Sequence, residues 1–149
     1  MKEFYTRQKA NEGVKLPLFH PDGTMSEHWF MVRGIDSDHF RRAESLAKRK
    51  AVELAQIEDP NERAEKVRDT ELTCIAALVA GWSFEEECTT DNVVNFLREA
   101  PQIADMVNRY AARRAEFFSK KSGSSATGQK RKSSSRSRQK AQKSNSETT

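Results

Sequence analysis

The sequence predicts a mainly α-helical fold, with a small N-terminal β-hairpin packed on about four helices and a disordered basic tail at the C-terminus. Three observations carry this. Short apolar segments flank a Pro- and Gly-containing turn near residue 20, apolar residues recur at helical spacing between residues 38 and 119, and beyond that Ser, Lys, Arg and Gln take over. Recurrence every three or four residues makes one apolar stripe along a helix, and that stripe needs another to bury it. The most organised stretch runs from Glu71 to Phe118.

Residues 1–13 are polar and without period, and read as a flexible arm ahead of a domain spanning 14–119. Val14–Phe19 alternates imperfectly, His20-Pro21-Asp22-Gly23 has turn chemistry, and His28–Val32 is the second candidate strand. Pro17 cannot donate to a ladder, which predicts an edge strand. A lone hairpin is marginal in water and must pack on the helices. Asp36-Ser37-Asp38 offers capping oxygens for a helix from Asp38 to Ile57 whose inner face holds Phe40, Ala43, Leu46, Ala47, Leu54 and Ile57. Asp59-Pro60 starts the next helix, with Asp as cap and Pro in the first position. That helix is charged through Asp69 and apolar from Leu72, and it is expected to run on through Ala80 to Gly81-Trp82. An acidic connection, Ser83–Glu87, leads to a short helix starting at Thr90-Asp91-Asn92 and broken at Pro101. A final helix from Gln102 to about Ser119 points Ile103, Val107, Tyr110 and Phe117 inward, and Trp82 is expected to pack against the first three.

The 149 residues carry a formal charge of +4, which averages two unlike segments. Nine Lys/Arg and one acid follow residue 119, so 120–149 carries +8 and the remainder −4. The sequence pI of about 9.2 therefore belongs to the tail. Ser122–Gly128 reads as a flexible spacer, and nothing after it can offset the entropy of ordering. No apolar run approaches the ~20 residues of a membrane helix. Met1–Tyr5 has no apolar segment behind its first charge, so no secretory signal is expected. Cys74 and Cys88 lack metal-ligand spacing and read as reduced thiols.

No catalytic constellation is evident. His20, His28 and His39 fall in a turn, a strand and a helix start without metal spacing, and Asp36-Ser37-Asp38-His39 is better read as helix capping than as a nucleophile set. Phosphate loops, H-E-x-x-H and G-x-S-x-G are missing from the sequence. Neither a cofactor nor a metal is implied. Trp82, Phe96, Tyr110 and Phe117 are candidates to line a groove for a partner helix, with core packing the favoured alternative for Trp82 and Phe96. In the tail, Lys130, Arg131, Lys132, Arg136 and Arg138 are candidates for binding nucleic acid or an acidic partner, although no aromatic residue is interleaved for base stacking.

One set of packing residues goes further. It comprises Gly81-Trp82 at a helix end, Asn95-Phe96-Leu97, Pro101, Ile103 three before Met106-Val107, and a closing Arg114-Ala115-Glu116-Phe117. With the upstream segment Val32–Phe40, which runs strand, Gly34, Asp36-Ser37 and Phe40, this pattern resembles the tail assembly chaperones of long-tailed, siphovirus-type bacteriophages over roughly residues 14–119. The resemblance implies a non-enzymatic protein of the host bacterial cytoplasm, absent from the mature virion. Such a protein binds the tape measure protein, keeps it soluble and helps recruit tail tube protein around it. The resemblance also implies a longer form made by ribosomal frameshift, with an extra domain that engages the tube protein. Residues 1–119 would then be the shared part, and Lys120-Lys121, with adenine-rich codons, the place of the slip. The alternative is a nucleic-acid-binding protein that uses its basic tail.

Overall fold

The structure, a computed structural model, describes residues 1–118. The spacer and the basic tail, with Lys130, Arg131, Lys132, Arg136 and Arg138, lie outside the described residues. In order, the elements are a 3-10 turn Lys2–Phe4, helix α1 (Arg7–Glu12), strands β1 (Val14–Phe19) and β2 (Met25–Val32), helices α2 (Asp38–Leu54) and α3 (Pro60–Ala76), strand β3 (Val79–Trp82), helices α4 (Thr90–Glu99) and α5 (Pro101–Ala111), and a 3-10 turn Arg114–Phe117. The fold is mainly helical, as expected, with a small antiparallel sheet in the order β1-β2-β3.

Local chemistry places several elements where the sequence puts them. Pro17 sits opposite Trp29 on β1, an edge strand. The turn after β1 closes with His20 N–H donating to Thr24 O at 2.8 Å. Ser37, wholly buried, caps α2 by accepting from Phe40 N–H, and Asp59 caps α3 with Pro60 in its first turn. Thr89 caps α4 through Asn92 N–H. The core gathers Leu16 and Leu18 from β1, Phe30 and Val32 from β2, Leu72 from α3 and Leu97 from α4.

Three expectations are corrected. The apolar run from Leu72 is not one helix, for α3 stops at Ala76 and Val79–Trp82 pairs with β2, Trp82 opposite Phe30. Val79, Gly81 and Trp82 are poor helix formers, and β2 otherwise presents a row of unpaired backbone groups. Arg33 secures the switch. Its N–H donates to Leu78 O at 2.6 Å, and its guanidinium donates to Ala77 O at 3.1 Å at the C-terminal end of α3.

Residues 1–13 are not wholly an arm without structure. A six-residue helix such as α1 has little stability of its own, so tertiary contacts must hold it. Ala10 is buried, Gly34 N–H donates to Ala10 O, and Asn11 Oδ1 accepts from Asp38 N–H at 2.7 Å while its Nδ2 donates to Asp38 Oδ2. Two glycines make this fit. Gly13 ends α1 at φ +83°, and a Cβ there would lie 2.9 Å from Val32 O. A Cβ on Gly34 would meet Ala10 Cβ at 2.9 Å.

The last helix does not reach residue 119. Ile35 N–H donates to Ala111 O at 3.1 Å, taking a carbonyl at the end of α5. The chain then turns to bury Phe117 next to Gly34.

Candidate partner-binding surfaces

Helices α2 and α3 form a hairpin that leaves a groove between them. Along α2 and its C-cap, Ala47, Ala51 and Ala55 follow one another at four-residue spacing and face the groove, so short side chains leave space there. Phe40, Leu54, Val67 and Ile75 supply the larger apolar walls, and the volume is about 650 Å³. Leu54 is buried, whereas Val67 is 40 % exposed. The charged rim includes Glu44, Lys48, Arg63, Arg68 and Glu71. Several of these pair locally, Lys48 with Glu44 at 3.6 Å and Arg68 with Glu71 at 3.4 Å. Cys74 also lines the groove; its thiol donates to Ala43 O, and burial followed by the nearby Glu44 pushes its pKa up. An inert apolar trough with a mixed charged rim suits an amphipathic helix better than a reacting substrate.

A second surface is aromatic. Trp82, Phe84 and Phe96 line a cavity of about 370 Å³ together with Glu86 and Asn92. Their centroids lie 5.2 Å (Trp82–Phe84), 5.1 Å (Phe84–Phe96) and 6.0 Å (Trp82–Phe96) apart, above buried Phe30. The Trp82 indole N–H donates to Glu86 O at 2.7 Å, which ties the acidic loop to the ring cluster.

The four aromatic candidates therefore divide in two. Trp82 and Phe96 come together, and Tyr110 pairs with Phe117 at 6.0 Å, with no ring contact joining the pairs among the described residues. Trp82 does not pack on Tyr110 as expected: its aromatic neighbours are Phe30, Phe84 and Phe96, because it stands on a strand and not at the end of α3. Phe117 is 3 % exposed and serves the core. Tyr110 is half-buried, and burial raises its phenol pKa. Sequence reasoning missed Phe84, hidden in a loop read as an acidic connection, and the whole α2–α3 groove. The alternation of Trp82 and Phe84 about Ser83 was the available signal, since it has the two-residue period of a strand.

The histidines stay apart in role. His28 bonds Ser83 and stacks on Phe84 at 4.5 Å, and His39 has its pKa lowered chiefly by Arg33. No group of His, Cys, Asp and Glu able to hold a metal occurs among the described residues. Both cysteines are free. No helix among the described residues is long and apolar enough to cross a membrane.

No curated protein and no solved structure matches the chain. A family model described as phage tail assembly chaperone matches residues 11–124, which takes in every element from β1 onward. Over well more than half its length, then, the chain carries that family's pattern, and it belongs to the phage tail assembly chaperone family.

Proposed function

We propose that this protein binds the tape measure protein during tail assembly, keeps it soluble and helps recruit tail tube subunits, acting in the host cytoplasm and leaving before the virion is complete. The groove between α2 and α3 carries the reading. It is an apolar trough, open to solvent, lined by three alanines where a packed helix pair ordinarily places larger side chains. A long helical partner with an exposed apolar stripe gains most from such a surface. Charged residues on the rim keep the complex in solution while the trough covers the stripe. A longer frameshifted form that engages the tube protein fits the same reading.

Co-expression with a tape measure protein from the same genome tests it. Wild type is expected to move the tape measure into the soluble fraction. Ala51→Trp fills the trough at an exposed position, so stability should change by no more than about 0.5 kcal/mol while solubilisation is lost. A tape measure protein that stays soluble with the tryptophan variant would place its binding elsewhere.

A second reading rests on charge. The +8 of residues 120–149 favours attachment to nucleic acid through phosphate neutralisation.

A further inference from the structure

We infer that the aromatic cavity of Trp82, Phe84 and Phe96 is a receptor for an arginine side chain of a protein partner, a contact surface separate from the α2–α3 groove. Three observations on this surface favour a cation. First, tryptophan and phenylalanine rings attract a cation held within ~6 Å of their centroids, tryptophan best, and three rings converge on one cavity of about 370 Å³. The fold already contains one such contact, with Lys15 Nζ 4.7 Å from the centroid of the Trp29 ring. Second, the one charged side chain that lines the cavity is acidic. Glu86 lines it, no Lys or Arg does, and Glu85, Glu86 and Glu87 are all exposed and make no ion pair among the described residues. Third, acceptors are in place. Asn92 donates its side-chain amide to Glu87 O at 2.8 Å, which leaves its Oδ1 for an incoming donor.

Arginine fits this set better than lysine. A planar guanidinium stacks on aromatic faces while its five N–H donors reach carboxylates and amide oxygens at the edge, and it sheds water more readily than an ammonium. The cavity is also held in shape before any ligand arrives. The Trp82 N–H bond to Glu86 O and the Asn92 bond to Glu87 O fix the C-terminal end of the acidic loop, and Ser83 N–H donating to Trp29 O at 3.1 Å holds its start. A preorganised site loses little entropy on binding.

The test uses the full chain carrying Trp29→Phe, which leaves Trp82 as the sole tryptophan reporter. The probe is a short Ala/Gly peptide with two arginines, compared with the same peptide carrying lysine or neutral citrulline. The arginine peptide should change Trp82 fluorescence saturably, the lysine peptide should bind more weakly, and the citrulline peptide should give no change. Glu85→Gln/Glu86→Gln/Glu87→Gln and Phe84→Leu should each weaken arginine binding about tenfold. Far-UV circular dichroism reports whether Phe84→Leu is folded, and if it is not, the preference for the arginine over the lysine peptide carries the test, since diffuse attraction to the acidic loop would take both alike. Two outcomes overturn the proposal: equal response to arginine and citrulline, or loss of binding in the glutamine variant with none in folded Phe84→Leu. The second would mean diffuse attraction to the acidic loop.

Discussion

Asp36 sits where three parts of the chain meet. Its carboxylate accepts from Arg114 Nε at 2.7 Å and Nη2 at 3.1 Å and from Arg41 Nη2 at 3.0 Å, joining the C-terminal turn to the start of α2. The Arg114 hydrogen bond, against some opposing burial and with help from Arg41, holds the Asp36 pKa below its ordinary value. A carboxyl with a depressed folded-state pKa adds stability above its unfolded pKa, ~3.9, and that stability is lost as pH falls through the folded value. Asp36→Asn should therefore lower Tm by a few degrees at pH 7, with the gap from wild type closing as pH drops below the carboxylate range. Thermal melts at pH 7 and pH 3 measure this. Trp82 offers a second comparison at this scale. Its ring is half-buried, whereas Phe30 beneath it has no exposed surface. Phe30→Ala should cost about 3–5 kcal/mol, the usual range for a fully buried aromatic, and Trp82→Ala clearly less. Denaturant titration of the two variants decides it, and equal costs would mean that Trp82 is core after all.

At the level of elements, the shortest helix depends most on its neighbours. Packing of α1 relies on the missing Cβ at Gly34, where any side chain would press on Ala10. Because Ala10 Cβ is the short, stiff end of a buried residue, Gly34→Ala should displace α1 and cost about 1–3 kcal/mol. Hydrogen exchange should show early loss of protection over residues 7–12, with α4 and α5 unaffected. Fast exchange throughout α4 and α5 would instead mean that Gly34 supports the whole fold. Why α1 escaped sequence reading is plain from its composition: one buried alanine makes no stripe, so there is no periodicity to find. The opposite holds for α4 and α5, where Val93, Val94, Leu97, Ile103, Ala104 and Val107 are all buried and both helices start where expected, although α5 stops at Ala111.

For the whole molecule, the division between an acidic body and a basic tail yields one more expectation. Removing residues 120–149 should leave Tm unchanged and abolish weak nucleic-acid binding, and the full chain's affinity should fall steeply as salt rises. Filter binding at several salt concentrations measures both. Tight, salt-insensitive binding by the truncated chain would support the nucleic-acid reading over tape measure binding.

Signals that act within a few residues were legible in the sequence. Ser37, Asp59 and Pro60 set the helix starts, Pro17 marks the sheet edge, and Gly23 at φ +88° completes the turn. Trp82 and Phe96 were legible only as two of four aromatic candidates, with core packing favoured for both. Contacts between distant parts of the chain were decided only by tertiary structure. Val79–Trp82 is a strand because β2 waits beside it, and Ser83 Oγ accepts from Trp29 N–H across 54 positions of sequence. Phe84 joins Trp82 and Phe96 for the same reason, and Phe117 is buried because Gly34 leaves room for it. The groove between α2 and α3 is of this kind too. A helix's own sequence fixes which residues share a face, but whether that face is filled or left open depends on the size of what packs against it.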